Sequence, residues 1–125
     1  MSDASTYFGL HFPDPIQMRD LAELLGTSLR CLDFSFERIL GITPVRALQD
    51  VRLNQLFTAL SDRPTQGIGS AIRACGLAST PGVPELFEEE FGIDMPLFLQ
   101  MSRRAADDRL FRLVHPEADA LVLLI

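Results

Sequence analysis

Apolar residues recur at intervals of three and four along most of the chain, which is the spacing of amphipathic α-helices. This spacing predicts helices over residues 18–25, 29–40, 45–60 and 68–75, then a short helix from about 84 and a last one over 96–104. Glycine or proline bounds most of these segments, and Ser28 and Thr43 are the predicted N-caps of helices 29–40 and 45–60. The pattern therefore predicts an all-α chain.

The wheel positions of these helices, taken at about 100° per residue, predict which side chains are buried. In helix 18–25 the predicted inward residues are Leu21, Leu24 and Leu25. In helix 29–40 the predicted buried stripe consists of Leu29, Leu32, Phe36, Ile39 and Leu40. Helix 45–60 has a broad apolar arc, made of Val45, Leu48, Leu53, Leu56, Phe57 and Leu60. An arc of this width predicts packing on both sides, as in a connector.

The outward faces of two helices differ in character. Helix 29–40 directs Arg30, Phe34, Glu37 and Arg38 outward, with Cys31 and Asp33 at the margins. Phe34 is a large aromatic residue on a polar face, which indicates contact with DNA, with a partner protein or with the C-terminal tail. In the helix that starts near residue 84, Leu86, Phe87 and Phe91 are predicted inward. Its predicted outward residues are Glu85, Glu88 and Glu89, with Glu90 at the edge.

The order of the elements is that of a helix-turn-helix, in which the second helix is presented to a DNA groove. Residues 16–43 are the first predicted motif, 44–62 the connector helix and 63–104 a second, degenerate motif. Residues 1–15 are predicted to be a truncated first helix or leader, and 105–125 an apolar C-terminal tail. Two prolines and a glycine within 81–84 shorten the second recognition helix. The predicted fold is all-α, with two helix-turn-helix, homeodomain-like subdomains joined by the connector.

Charge changes this picture, because DNA affinity draws on the neutralisation of phosphates by basic residues. The chain has 11 basic residues, all of them arginine, against 17 acidic ones, for a formal net charge of −6. A local basic face still permits an acidic chain to bind DNA. Arg52 falls inside the apolar arc of the connector, so we predict a structural, paired role for it rather than a phosphate contact.

Neither an enzyme nor a metalloprotein is indicated. Cys31, Cys75, His11 and His115 lack metal-ligand spacing, and both thiols are predicted to be buried or half-buried. No nucleophile–base pair or phosphate-binding glycine loop is present in the sequence. No run reaches the ~20 apolar residues of a membrane span, and the N-terminus lacks the features of a signal peptide. We expect a cytoplasmic protein without cofactor, metal or catalytic activity.

Over residues 11–104 the sequence resembles the DNA-binding region of the AraC/XylS family of transcriptional regulators. The matching segments are Pro15-Ile-Gln-Met-Arg-Asp-Leu-Ala, Gly26-Thr-Ser-Leu-Arg-Cys-Leu with Phe36, Gly41-Ile-Thr-Pro, Val51-Arg-Leu, Cys75-Gly-Leu and Phe87-Glu-Glu-Glu-Phe-Gly. The resemblance implies a bacterial regulator with two recognition helices in successive major-groove segments. Such regions usually follow a separate effector-binding or dimerisation domain, which we expect to be missing from this chain.

The resemblance and the wheel positions together predict the DNA-contacting residues, which are Ser28, Arg30, Asp33, Phe34, Arg38, Thr43 and Arg46. Arg30 suits a guanine, Asp33 a cytosine amino group and Phe34 a thymine methyl group. The sequence departs from the family's pattern at 88–90, where glutamates replace a basic row. It also departs at Met95, an additional residue before the proline of the last turn.

Two functions follow as hypotheses. The first is sequence-specific binding of double-stranded DNA, mainly through helix 29–40. The alternative is a protein-interaction module that keeps the fold but has weak or no DNA affinity, and that binds its partner through Phe34, residues 88–90 or the tail. The five apolar residues 121–125 must pack on the domain or on a partner, or else be a liability.

Overall fold

A computed structural model describes residues 2–116, and this part of the chain consists of helices joined by short loops. The helices are α1 (Ser2–His11), α2 (Met18–Leu24), α3 (Leu29–Leu40), α4 (Pro44–Asp62), α5 (Ile68–Ala74), α6 (Val83–Phe91) and α7 (Met95–Val114). The prediction of an all-α fold is confirmed. Within 2–116, no helix has the length and hydropathy needed to cross a membrane. The apolar residues 121–125 lie outside the described residues.

Two hydrophobic clusters organise the described residues. The first joins α1, α2 and α3 to the first half of α4, and its buried members are Ala4, Phe8, Leu21, Ala22, Leu32, Phe36, Ala47 and Leu48. The second joins the rest of α4 to α5, α6 and α7, and its buried members are Leu53, Leu56, Ala59, Leu60, Ala71, Cys75, Leu77, Val83, Phe87, Met95 and Leu99. Helix α4 belongs to both clusters, which confirms the prediction of a connector packed on both sides.

Helix α1 is an integral part of the first cluster. Ala4 and Phe8, one turn apart, are both 1% exposed. The Phe8 ring lies 6.0 Å from the Phe36 ring, centroid to centroid. A helix as short as α1 is marginal in isolation, so this packing holds it in place.

Within residues 2–116, three helices begin at a side-chain cap. The Ser28 Oγ accepts a hydrogen bond from the Cys31 N–H (3.1 Å), and the Thr43 Oγ1 accepts one from the Arg46 N–H (3.2 Å). Both caps were predicted from the sequence and are confirmed. The Asp94 carboxylate caps α7 by accepting from the Leu97 N–H (3.2 Å). Met95 is therefore the first residue of α7 and is buried, and the loop before it, residues 92–94, is as long as the loop 41–43 before α4.

Several predicted core positions are wrong. The exposed residues among them are Leu24, Leu29, Ile39, Leu40 and Val45. In α3, only Leu32 and Phe36 are buried, because the neighbouring helices cover the middle of α3 and leave both of its ends open. Cys31 is also exposed, contrary to the prediction, whereas Cys75 is buried.

The prediction for the end of the last helix is also wrong, since α7 continues to Val114 instead of ending at Arg104. The Arg103 Nε donates a hydrogen bond to the Pro64 carbonyl (2.7 Å), which ties α7 to the loop between α4 and α5. No glycine or proline follows the arginine pair until Pro116, so nothing in the sequence stops the helix earlier.

Candidate nucleic-acid interface

The buried residues of α3 define its outward face. Leu32 is 4% exposed and Phe36 is fully buried, which fixes the side of the helix that faces the cluster. At about 100° per residue, Phe34 lies opposite the midpoint of this pair. Its side chain is 63% exposed. Arg30 and Arg38 are also exposed and flank Phe34 on the same face, and Asp33 is exposed at its margin.

The first turn of α3 combines polar groups with an exposed thiol. The Ser28 hydroxyl caps the helix, and Arg30 and Cys31 follow it on the surface. Hydrogen bonding from the side chains of Ser28 and then Thr27 lowers the pKa of the Cys31 thiol, and the positive charge of Arg30 contributes. The start of a recognition helix is the part that contacts base edges in helix-turn-helix proteins. In this chain that end is polar and open to solvent.

The start of α4 adds two of the predicted residues in a different electrostatic setting. Thr43 caps the helix, and the exposed Arg46 donates from Nε to the Asp50 Oδ1 (3.1 Å). The hydrogen bond to Asp50 and the charge of Asp50 raise the pKa of the Arg46 guanidinium, and Glu90 and Glu89 raise it further. The positive charge of Arg46 is therefore already matched by carboxylates, so a DNA phosphate must compete with them.

Helix α6 repeats the framework of α3 at one constant offset in sequence. Val83 and Phe87 occupy the positions of Leu32 and Phe36, and both are buried in the second cluster. Both helices end at a glycine in the left-handed region, Gly41 with φ 71° and Gly92 with φ 70°. The two helices therefore share an inward face and an end point.

The two helices differ at their starts. Helix α3 has 12 residues and α6 has 9, and because the ends correspond, α6 lacks the first turn that α3 has. At the same offset, Pro81 stands where α3 has Arg30, and Pro84 where α3 has Asp33. The residue before α6 is Gly82, with φ 70° and no side-chain cap. The turn that presents Arg30 in the first motif has no counterpart in the second.

The outward charges of the two helices also differ. The counterparts of Phe34, Glu37 and Arg38 are Glu85, Glu88 and Glu89, and all three glutamates are exposed, as predicted. Helix α6 has four glutamates and no basic residue, whereas α3 has Arg30 and Arg38 beside two acidic residues. Glu85 lies in the first turn of α6, where a negative charge stabilises the helix dipole. The α6 face is therefore suited to its own helix but not to phosphate.

Solved structures of other proteins share this helical arrangement. No protein-family model and no curated protein sequence matches the chain. A transcriptional regulator from Chromobacterium violaceum, described as an AraC-type DNA-binding domain-containing protein, is 24% identical over 81% of this chain and 89% of that chain, with a TM-score of 0.73. A probable AraC family transcriptional regulator from Rhodopseudomonas palustris CGA009 is 25% identical over 79% of this chain and 93% of its own, with a TM-score of 0.74. The chain has the fold of an AraC-type DNA-binding region.

A third solved structure has the same AraC-type fold. It is the C-terminal domain of AraT, a response regulator from Geobacillus stearothermophilus, which is 19% identical over 80% of this chain and 83% of that chain, with a TM-score of 0.69. The resemblance stated from the sequence is thus matched by the structure. It covers about four fifths of the chain.

The structure groups the predicted residues unequally. Five of the seven predicted residues cap α3 or lie on its outward face, whereas Thr43 and Arg46 form a separate pair at the start of α4. An open groove of about 610 Å³ runs beside the starts of α2, α3 and α4, and Arg19 and Leu29 are among its lining residues. Arg19 is not among the residues predicted from the sequence, and it is an exposed cation in the first turn of α2 at the wall of this groove. Within the part of the chain that the structure describes, no three metal-ligating residues are grouped together.

Proposed function

We propose that the chain is a transcriptional regulator that binds double-stranded DNA sequence-specifically and reads it mainly through α3. The observation that carries the proposal is the open first turn of α3, with Arg30 exposed at the end of a recognition helix in an AraC-type fold. The same turn is absent from α6, so we assign base reading to the first motif. The solved structures of AraC-type regulators support a regulator rather than an enzyme.

The outward residues of α3 suit different features of the major groove. Arg30 is suited to a bidentate contact with the O6 and N7 of guanine, the commonest specific contact made by arginine. Asp33, nearly one turn further on, is an acceptor for the amino group of cytosine. Phe34 offers only apolar contact, which suits the methyl group of thymine. These three side chains would therefore read a short mixed sequence within one groove segment.

Phosphate contacts would come from a small set of groups. Arg38 and Arg19 are exposed cations near the two ends of the reading face, and the hydroxyls of Ser28 and Thr43 retain a hydrogen to donate beside their capping role. Arg46 is engaged with Asp50. Because each neutralised phosphate adds about 0.9 to the salt slope of binding to B-DNA, we expect a shallow slope.

A binding selection tests the proposal. A pool of labelled duplexes of random sequence is incubated with the full chain at low salt, and bound duplexes are recovered, sequenced and measured by fluorescence anisotropy. We expect enrichment of one short sequence motif, with affinity that falls in the Arg30→Ala variant. No binding at low salt, or binding without enrichment of any sequence, would contradict the proposal.

A second candidate function is a protein-interaction module without DNA affinity. The acidic outward face of α6 and the 63% exposed side chain of Phe34 favour it. In this case the binding selection fails. The wild-type chain then binds a purified partner protein. This binding is lost in the Phe34→Ala variant, or in the variant that carries Glu88→Gln and Glu89→Gln together. Failure of both experiments would exclude this function as well.

A further inference from the structure

The loop between α1 and α2 links the two halves of the molecule. It follows α1, which packs in the first cluster, yet the partly buried side chain of Phe12 packs against the second cluster. Helix α4 also connects the clusters, since its residues contribute to both. The loop therefore joins the two halves in addition to α4.

Arg52 of α4 holds this loop through two of its carbonyl groups. Its Nε donates a hydrogen bond to the Phe12 carbonyl oxygen (2.8 Å), and one of its terminal guanidinium nitrogens donates to the Asp14 carbonyl oxygen (2.9 Å). Partial burial lowers the pKa of Arg52, but an arginine stays protonated at neutral pH. A planar guanidinium that donates in two fixed directions restrains both the position and the orientation of the loop.

Gly76, in the turn between α5 and α6, lies against the same loop. Its φ of +78° lies in the left-handed region, and a Cβ there would stand 2.6 Å from the Phe12 carbonyl oxygen. The Pro13 carbonyl oxygen and the Arg52 Nε would each stand 3.1 Å away from it. A side chain does not fit, so the backbone of the second motif lies directly against the loop that Arg52 holds.

We infer that Arg52 is a positioning residue: it holds loop 12–14 against Gly76 and thereby sets the placement of α6 relative to α3. Helix α4 alone leaves the second cluster attached through one element, about which it can twist and bend. The loop adds a second point of attachment near the start of the second motif, and Arg52 fixes that point. The placement is a property of the free protein and does not depend on DNA binding.

A distance measurement between the two recognition helices tests the inference. One spin label is placed on the native Cys31, which is exposed on α3, and a second on α6 through Glu88→Cys. The buried Cys75 is left unchanged, and mass spectrometry confirms two labels per chain. Double electron–electron resonance then gives the distance distribution for the parent protein, for Arg52→Gln and for Arg52→Lys. The matched control is Arg109→Gln, the same substitution at an exposed arginine in the last two turns of α7.

We expect one narrow distribution for the parent and for Arg109→Gln. Arg52→Gln removes the charge and the simultaneous hydrogen bonds to two carbonyl groups, so its distance distribution should broaden and its maximum should shift. Circular dichroism should still show a folded helical protein. Arg52→Lys keeps the charge and can donate to either carbonyl. The width of its distance distribution should therefore lie between those of the parent and of Arg52→Gln. A folded Arg52→Gln variant with an unchanged distribution would overturn the inference. So would unfolding of Arg52→Lys, because Arg52 would then be required for folding as a whole and not for positioning.

Discussion

The two recognition helices of this chain agree on the inside and differ on the outside. Leu32 and Phe36 of α3 correspond to Val83 and Phe87 of α6, and all four are buried. On the outward faces, by contrast, the three corresponding positions are occupied by Phe34, Glu37 and Arg38 in α3 and only by glutamates in α6. The inward residues are set by packing, which both motifs need in order to fold. The outward residues depend on what the helix contacts, and at these positions the two motifs carry different residues.

The difference shows that a fold and a binding face are independent properties of a helix-turn-helix. Helix α6 retains its buried phenylalanine, its terminal glycine and a capped helix after it, so its fold is intact. It lacks the first turn of α3 and the basic side chains that we propose as DNA contacts. A fold-level likeness therefore extends to both motifs, while a functional site has to be argued for each motif from its own residues.

The largest effect, on the free energy of unfolding, is expected from the buried phenylalanines that the two motifs share. Phe36→Ala and Phe87→Ala each remove a fully buried ring, so each should lower the free energy of unfolding by about 3–5 kcal/mol. Phe34→Ala, at an exposed position of α3, is the matched control and should change it by no more than about 0.5 kcal/mol. Urea denaturation followed by circular dichroism measures all three. A small effect of Phe87→Ala would contradict the comparison, because the buried residues of the second motif would then not stabilise the fold as those of the first motif do.

The next effect concerns the turn that only α3 has. Arg30→Ala should weaken binding to the selected duplex by about 1–3 kcal/mol, as expected for loss of a bidentate contact with guanine, and should relax the preference for that base. Pro81→Ala is its counterpart at the equivalent position of the second motif and should leave the affinity unchanged. Fluorescence anisotropy on matched and mismatched duplexes measures both. Equal losses in the two variants would contradict the assignment of base reading to α3.

The cap of α3 gives a smaller effect with two readouts. Ser28→Ala removes the acceptor for the Cys31 N–H and should cost about 1 kcal/mol of stability. The Ser28 side chain is also the main cause of the lowered pKa of Cys31, so this pKa should rise in the variant. At neutral pH the fraction of thiolate then falls, and alkylation of Cys31 by iodoacetamide should slow down. Faster or unchanged alkylation would show that the thiol is controlled by another group.

The smallest effect should come from the charges of α6. Replacing Glu85, Glu88 and Glu89 by Gln removes three carboxylates from a face that we expect to oppose DNA, and should raise the affinity by roughly a few-fold at low salt. The gain should disappear as the salt concentration rises, because exposed charges are screened. A control with the same change in net charge is Asp62→Asn, Asp107→Asn and Asp108→Asn together. An equal gain in the control would mean that net charge alone, and not the α6 face, is responsible.

Local signals in the sequence predicted the elements of this fold well. Ser28 and Gly41 bound helix 29–40 at its observed ends, because a cap and a left-handed glycine act within a few residues. The outward side of α3 was also predicted, since two large apolar residues, Leu32 and Phe36, mark the opposite, buried side. Leu24, Ile39 and Val45 were misplaced because periodicity indicates which side is apolar, whereas burial depends on how far the neighbouring helices extend.

Contacts between distant segments were less accessible from the sequence. A structural role for Arg52 was predicted from its place in an apolar arc, and its hydrogen bonds to the Phe12 and Asp14 carbonyls confirm that role. The identity of those partners could not be predicted, because they lie far away along the chain. The proximity of Arg46 to Glu89 and Glu90 likewise follows only from the packing of α6 beside α4. The predicted DNA contacts remain predictions.

The central claim is that α3 reads DNA and α6 does not, and methylation interference on the selected duplex tests it most directly. Methylation of guanine N7 blocks major-groove contacts at that atom, so each guanine that the protein approaches at N7 appears as a position at which methylation prevents binding. We expect interference within one contiguous major-groove segment only. A second segment of interference about one helical turn away, roughly 10 base pairs, would show that α6 also enters the groove and would contradict the claim.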